Sequence, residues 1–311
     1  MAQVSVLGLG AMGSTVARVL AERGHDVTVW NRSKVPAARA ETLARAGVRW
    51  AATPTEAIAA SPLIVMCVLD YPAAETVLGA PGATQSLAGR VLVQLTNGSE
   101  EQVRRQLSRV AAAGGRMLAG GIVGYPRHIG RDDTVILYAG SESAFEENRA
   151  TLADLAGGQR YLGEDPAVQN ATYVSAFGFY YAALAGFLES AALAASRGVA
   201  PSDFAAAMPG MAALLLDHVA DAARRLEAED YDGDQATVDV HLVGSGRRQQ
   251  AFADKGLQSL MTDAFIAYCR QAHEAGEGGE DIVAIYKRLL ASTVTRIESP
   301  ESGEAPPPRR S

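Results

Sequence analysis

The first half of the chain alternates between short apolar runs and segments whose apolar residues have helical spacing. Residues 4–7 and 26–30 are rich in β-branched side chains, and residues 63–69 form a continuous apolar run. Such a run is typical of a strand that is covered on both faces. Further strands are predicted at residues 91–95, 117–121, 135–139 and 160–162. Because strands and helices alternate, we predict an α/β fold with a doubly wound parallel sheet of the Rossmann type.

The second half of the chain has the pattern of helices alone. Residues 166–197 predict one helix, ended by Gly198, whose length at 1.5 Å per residue is roughly 45 Å. Shorter helices are predicted at residues 202–208, 213–228, 257–274 and 280–293, with another through residues 249–250. We therefore expect four segments, which are a nucleotide-binding domain at 1–163, an interdomain helix at 164–198, a helical dimerisation and substrate domain at 199–295, and a disordered tail at 296–311.

The long helix needs a separate explanation, because residues 166–188 contain no charged side chain. Its length alone would admit a membrane span. Alanine, glycine and polar residues are common in it, however, so we expect a helix buried in protein and no membrane partner. The helical domain alone is too small to cover it. We predict an intertwined, domain-swapped homodimer whose active site lies between the nucleotide domain of one subunit and the helical domain of the other.

Three glycines follow the first strand with the spacing G-x-G-x-x-G. Such glycines permit a tight turn, an approach of the backbone to a pyrophosphate, and close packing of the next helix on the strand. Because a strand precedes them and a helix N-terminus follows, the motif indicates dinucleotide binding rather than an unrelated glycine-rich turn. The predicted cofactor-binding residues here are Gly8, Leu9, Gly10, Ala11, Met12 and Gly13, together with Leu69 from a later strand end.

The end of the second strand distinguishes between NAD(H) and NADP(H). An acidic side chain there would bind the ribose hydroxyls of NAD, whereas an arginine accommodates the 2′-phosphate of NADP. The chain has Asn31, Arg32 and Ser33 at this point, followed by Lys34, and no carboxylate. We therefore predict NADP(H) as the cofactor.

Composition and charge argue against several other classes of protein. A net charge of −7 at pH 7 gives no broad positive surface, which argues against nucleic acid as a partner. Cys67 and Cys269 are too few for a disulfide framework, and no signal-peptide pattern precedes the first strand. The sequence also has no metal-ligand spacing. We expect a cytoplasmic enzyme that needs no metal.

The order of short motifs along the chain resembles that of the NADPH-dependent imine reductases and reductive aminases, within the β-hydroxyacid dehydrogenase-like superfamily. The resemblance extends from Val4 to about Leu290. It implies an oxidoreductase that reduces small imines or iminium ions to amines with hydride from NADPH. The motifs are GLGAMG at 8–13, VWNRS at 29–33, LTNG at 95–98, GGI at 120–122, YLGED at 161–165, AGFL at 185–188, YDGD at 231–234 and GGED at 278–281.

The resemblance also implies which residues act. Tyr173 is implied as the polar or proton-donating residue on the long helix, Tyr181 as a residue that orients the substrate, and Asn97 as the amide near the nicotinamide. Tyr180 competes with Tyr181 for its role, and a tyrosine on such a helix can also serve packing alone. The implied substrate pocket contains Ile122, Val123, Phe177, Tyr181 and His241.

One departure from the hydroxyacid dehydrogenases supports the imine assignment. Those enzymes have a catalytic lysine on this helix, and no lysine lies between Pro166 and Leu188. Reduction of a ketone needs a strong proton donor for the developing oxyanion, whereas an iminium ion is already protonated. A phenol, with a pKa of about 10, is then sufficient to hydrogen-bond the nitrogen.

Some interpretations stay open at this point. Asp70, at the end of a predicted strand, is either an active-site group or a helix cap, and we favour the cap. A β-hydroxyacid dehydrogenase and a non-catalytic NADP(H)-sensing protein remain as alternative functions. Turnover of an imine, rather than binding of the cofactor, would separate them.

Overall fold

The computed structural model describes residues 1–291 and divides into two compact units, residues 1–179 and the residues from Tyr180 onward. The first unit is built on an eight-stranded sheet with the strand order β3-β2-β1-β4-β5-β6-β7-β8. This order confirms the predicted Rossmann-type fold, with two wings that spread from β1. The strands are β1 (Gln3–Leu7), β2 (Asp26–Trp30), β3 (Arg49–Trp50), β4 (Leu63–Met66), β5 (Val91–Gln94), β6 (Arg116–Val123), β7 (Val135–Gly140) and β8 (Gly158–Tyr161).

Six helices connect these strands, and local capping signals explain where several of them begin. Thr53, Asp70, Ser99 and Ser141 each accept a hydrogen bond from a backbone N–H in the first turn of the following helix, which is how N-caps satisfy these donors. The predicted capping role of Asp70 is therefore confirmed. The helices are α1 (Ala11–Glu22), α2 (Ala37–Arg45), α3 (Pro54–Ala59), α4 (Tyr71–Leu78), α5 (Glu100–Ala112) and α6 (Glu142–Ala153).

The last two strands of the sheet, β7 and β8, do not run in the predicted direction. β6 and β7 pair antiparallel, with Gly120 opposite Tyr138, whereas the other neighbouring pairs of the described sheet are parallel. The connection between them holds only a short 3-10 turn at Pro126–His128. A parallel pair needs a crossover of about a dozen residues or more, usually a helix, so this connection returns the chain as a hairpin. The sheet is thus mostly parallel, with one antiparallel pair.

The sheet is covered on both faces. Along β1, Val4 and Val6 belong to one apolar cluster and Leu7 belongs to the other, because successive side chains of a strand point to opposite faces. All three are fully buried. Burial of both faces leaves the carboxyl ends of the strands, and the loops that follow them, as the accessible part of the sheet.

The remaining helices follow β8. Compared with the predictions, α9 begins earlier, α11 begins later, and the last predicted helix is a 3-10 turn at Ile282–Ala284 followed by α12. The end of that predicted helix and the tail predicted to be disordered at 296–311 lie outside the described residues. The helices are α7 (Pro166–Ala195), α8 (Pro201–Ala206), α9 (Met208–Ala228), α10 (Val238–Ala253), α11 (Leu260–Ala272), with a π turn at His273–Glu277, and α12 (Ile285–Ala291).

Helix α7 is not covered by the described part of its own chain. Only Pro166 and Gln169 are buried, whereas Val174 and Leu188 are 60% and 59% exposed. The expectation of a helix buried in protein is therefore not met within a single chain. By length and composition alone, this helix would also be able to cross a membrane. Its apolar side chains are left accessible because no other described element packs around most of its length.

Candidate active site

The glycine loop after β1 has the shape that a dinucleotide requires. Gly8 has φ +95°, and a Cβ added there would collide with the carbonyl oxygen of Cys67. A Cβ at Gly13 would collide with the carbonyl oxygen of Gly8, so α1 packs directly against the loop. At Gly10 nothing lies within 4 Å of an added Cβ. The loop is therefore tight on its inner side and open at Gly10, which fits the approach of a pyrophosphate to the backbone.

Three side chains hold the Leu9 peptide within this loop. The N–H of Leu9 donates to Oδ1 of Asn31 over 2.8 Å. The carbonyl oxygen of Leu9 accepts from Oγ of Ser14 at 2.9 Å and from Nη1 of Arg39 at 3.1 Å. Asn31, predicted as a cofactor-binding residue, thus holds the loop in place from the end of β2. Arg39 on α2 makes a second contact that holds the loop and was not predicted.

Arg32 lies at the end of β2 in a position suited to a phosphate. It is exposed, and it makes no hydrogen bond or ion pair with any residue of the described part of the chain. Arg32 and Ser33 line a cleft together with Gly8 and Leu69. A guanidinium that no carboxylate neutralises, beside a loop open to a pyrophosphate, fits the 2′-phosphate of NADP.

The predicted catalytic residues Asn97 and Tyr173 lie in contact. Nδ2 of Asn97, in the loop after β5, donates a hydrogen bond of 2.8 Å to the hydroxyl oxygen of Tyr173 on α7. Because the amide is the donor, the phenol oxygen accepts, and the hydroxyl hydrogen can be directed at another acceptor. The ring of Phe177, one turn further along α7, lies 4.8 Å from that of Tyr173 between centroids. The structure therefore brings three predicted site residues together.

A glycine on β6 permits this arrangement. A Cβ at Gly121 would collide with Nε2 of Gln169 and lie 2.6 Å from Cδ2 of Tyr173. The first turns of α7 therefore pack against the backbone of β6, at the strand ends where ligands bind in such sheets. The next two residues were predicted to line the pocket. Ile122 is only 6% exposed and packs in the core, and Val123 is half-buried at the end of the strand.

Tyr181 and His241 belong to the second unit. Tyr181 is 58% exposed, and its ring lies 5.5 Å from that of Tyr180 between centroids. The ring of His241, on α10, meets that of Phe265 edge to face. Burial lowers the pKa of His241; Asp281 opposes this shift, and His218 and Arg248 reinforce it. His241 lines a cavity of about 560 Å³ that it shares with Asp217, His218 and Asp281.

Comparison with known proteins covers nearly the whole chain. The NAD binding domain of 6-phosphogluconate dehydrogenase matches residues 3–164, and the C-terminal domain of NADPH-dependent reductive aminase-like proteins matches residues 165–291. The structure of an imine reductase from Pseudomonas sp. is 40% identical in sequence, with a TM-score of 0.87 over 93% of this chain and 99% of that one. The chain belongs to the imine reductase and reductive aminase family.

Two fungal members of the imine reductase and reductive aminase family extend the comparison. The NADPH-dependent reductive aminase of Aspergillus oryzae is 28% identical over 285 residues, which are 91% of this chain and 95% of that protein. The reductive aminase of Aspergillus terreus, solved with NADPH and ethyl levulinate, is 31% identical, with a TM-score of 0.84 over 93% of this chain and 99% of that one. The Rossmann domain is therefore an NAD(P)H-binding domain.

Two polar residues near the site of this imine reductase family member are absent from the sequence predictions. Arg39 contacts a loop 30 positions away, and Asn170 donates from Nδ2 to the carbonyl oxygen of Gly98, 72 positions away, over 2.6 Å. Neither contact has a local signal in the sequence. For Asn170, its place three residues before Tyr173 on one helix was the available indication, because residues at this spacing share a face.

Proposed function

We propose that this chain reduces the carbon–nitrogen double bond of a small imine or iminium ion to an amine. When bound, NADPH supplies the hydride. The observation that carries the proposal is the hydrogen bond between Asn97 and Tyr173 on a helix that has no lysine anywhere from Pro166 to Ala195. Membership of the imine reductase and reductive aminase family supports the same reaction class.

Each residue of the candidate site has a distinct part in this proposal. Asn97 donates to the phenol oxygen of Tyr173 and thereby fixes the position of that hydroxyl. Tyr173 then hydrogen-bonds the substrate nitrogen, and it transfers a proton to an imine that arrives unprotonated. Arg32 and the glycine loop hold the phosphates of the cofactor. Tyr181 and His241 contribute to substrate binding.

The working form in this proposal is a homodimer in which the nucleotide domain of one subunit and the helical domain of the other form the site. Support comes from the apolar faces that single-chain folding leaves accessible. On α9, Met211 and Leu216 are 56% and 63% exposed, and on α7 the exposed residues include Phe179 and Leu188. Exposed apolar surface, where it is extensive, marks interaction sites in proteins.

The function is tested by turnover rather than by cofactor binding. Oxidation of NADPH is followed with a small cyclic imine, and reduction of NADP with a hydroxyacid serves as the comparison. We expect turnover of the imine alone. Turnover of the hydroxyacid alone would replace the proposal with a dehydrogenase, and tight NADPH binding without turnover of a panel of imines would favour a cofactor sensor.

The role of Tyr173 is tested by Tyr173→Phe. Loss of the hydroxyl is expected to lower kcat for the imine roughly tenfold to a hundredfold, because proton donation and orientation of the nitrogen are lost. The dissociation constant for NADPH should change less than about twofold, since Tyr173 does not hold the phosphates. Tyr268→Phe removes an exposed phenol hydroxyl from α11 and is the matched control. A kcat for Tyr173→Phe equal to that of the wild type would exclude this residue from the chemistry.

A further inference from the structure

The loop that carries Asn97 is held at the next residue by a second amide from α7. Asn97 is exposed, so few contacts of its own side chain determine where its amide lies. The neighbouring Gly98 accepts a hydrogen bond of 2.6 Å at its carbonyl oxygen from Nδ2 of Asn170. Asn170 and Tyr173 are three positions apart on α7 and face the same side. Two consecutive loop residues therefore contact two residues on one face of the helix.

Packing closes the other side of the same loop. A Cβ at Gly98 would collide with the ring of Tyr71 and lie 2.8 Å from Oε1 of Gln102. Tyr71 is only 2% exposed, so its ring belongs to the core and cannot easily yield. Two residues before Gly98, Oγ1 of the buried Thr96 accepts from the N–H of Val68 over 3.0 Å. The loop is therefore fixed by Thr96 and Tyr71 on the sheet side and by Asn170 on the helix side.

We propose that Asn170 is a positioning residue for the reaction. It places the Asn97 amide against the Tyr173 hydroxyl by holding the carbonyl oxygen of Gly98, and it acts through Asn97 rather than on the substrate. Without the Asn170 hydrogen bond, the loop loses one of the two described hydrogen bonds that join it to α7 at this point. If the loop moves by about 1 Å, the Asn97 amide is displaced from the Tyr173 hydroxyl. A displacement of that size is enough to slow a reaction substantially.

The kinetic test uses Asn170→Asp and Asn170→Ala. The carboxylate of Asn170→Asp keeps the shape of the side chain but cannot donate to Gly98. We expect both variants to lower kcat with the imine roughly tenfold, with the dissociation constant for NADPH unchanged. Asn148→Ala, on α6, removes a comparable hydrogen bond from an amide to the carbonyl oxygen of Ala144 and should leave kcat unchanged. A kcat within about twofold of the wild type in both Asn170 variants would overturn the proposal.

A double-mutant cycle distinguishes a positioning role from general loss of structure. If Asn170 acts through Asn97, then adding Asn170→Ala to an enzyme that already has Asn97→Ala should lower kcat hardly at all. If kcat of the double variant instead falls by the product of the two single fold-losses, Asn170 acts independently of Asn97, against the proposal. Melting temperatures of all variants show whether the fold is kept, and Asn170→Asp replaces Asn170→Ala in the cycle if the latter does not fold.

The kinetic part of this test rests on the proposed function, and a structural readout does not. In a crystal structure of Asn170→Asp, the distance between Nδ2 of Asn97 and the hydroxyl oxygen of Tyr173 is expected to exceed hydrogen-bonding range. If that pair is intact in the variant, Asn170 does not position it. If the wild type turns over no imine but the pair is broken in the variant, the proposed function fails while the positioning inference stands.

Discussion

The two units of this chain differ in how completely each covers its own apolar residues. The first unit packs both faces of its sheet, and the two apolar clusters there include long runs of fully buried residues from β1, β4 and β5. The described core cluster of the second unit is small, with Val238, Cys269, Ala272 and Ala284, and Phe252 and Ile266 are buried in addition. Its helix α9 meanwhile exposes Leu214, Leu215 and Leu216.

The difference indicates that the two units have different roles. A unit that buries its own core can form a cofactor site from its own loops, as the contacts of Leu9, Asn31 and Arg39 illustrate. In the proposed homodimer, the exposed leucines of the helical unit are buried against the partner subunit, and each large apolar side chain gains about 1.5–3 kcal/mol when it is fully buried. We infer that cofactor binding belongs to the single chain and that turnover belongs to the dimer.

The largest effect is expected when a charge is placed on the exposed face of α9, which tests the difference between the two units. Leu216→Asp is expected to give a monomer by light scattering, because an aspartate buried at an apolar interface without a partner is costly. Turnover should fall by roughly a hundredfold or more, since the site loses residues that help to orient the substrate. The dissociation constant for NADPH should stay within about threefold of the wild type, because the glycine loop is complete in one chain.

A matched control comes from the first unit. Trp50 is 47% exposed on β3, a strand at the edge of the sheet, and edge strands tolerate charge. Trp50→Asp is expected to keep both the dimer and the turnover. A wild-type protein that is monomeric and fully active would contradict the comparison outright, and a dimeric, active Leu216→Asp variant would remove α9 from the interface.

The next prediction sharpens the cofactor side of the comparison with two arginines. Arg32→Ala should raise the dissociation constant for NADPH roughly tenfold to a hundredfold and that for NADH hardly at all. Only NADPH has the 2′-phosphate with which a guanidinium would pair. Arg39→Ala removes the same charge but a different contact, the hydrogen bond to Leu9. It should raise the dissociation constants for both cofactors to a similar and smaller extent, about fivefold, in keeping with the loss of one hydrogen bond.

The outcome is measured by fluorescence titration of each variant with both reduced cofactors. Equal weakening of NADPH and NADH by Arg32→Ala would mean that the 2′-phosphate is held by other residues. Selective weakening of NADPH by Arg39→Ala would assign the phosphate contact to α2 instead. Neither variant should change the oligomeric state, since both residues lie in the unit that covers its own core.

Sequence patterns were informative where structure depends on neighbouring residues. The glycine loop, the cap at Asp70 and the unbroken helix α7 all follow from local rules, and the structure has each of them. The direction of β7 and β8 was not predicted, although the connection at residues 124–134 is too short for a helical crossover. Attention to the length of that connection would have indicated an antiparallel pair.

Contacts between distant segments were harder to foresee. The resemblance to imine reductases named Asn97 and Tyr173 separately, and the hydrogen bond between them follows only when β5 and α7 are placed together. Arg39 and Asn170 have no motif at all, because each contacts a backbone carbonyl, which any residue type provides. A sequence records the donor in such a contact but not the segment that supplies the acceptor.

The smallest expected effect concerns His241 in the second unit. Because burial lowers the pKa of His241, the unfolded chain takes up its proton at a higher pH than the folded protein does. Stability should therefore fall as the pH decreases through about 6.5, the ordinary value for histidine, and level off below the folded pKa. His241→Gln removes this contribution, so its melting temperature should fall less than that of the wild type between pH 7 and pH 5, by a margin of less than about 2 °C. The offset between the two proteins at pH 8, where His241 is neutral in both states, is the reference. A larger loss in the variant would mean that Asp281 outweighs the burial of His241 and that this side chain is held in its charged form.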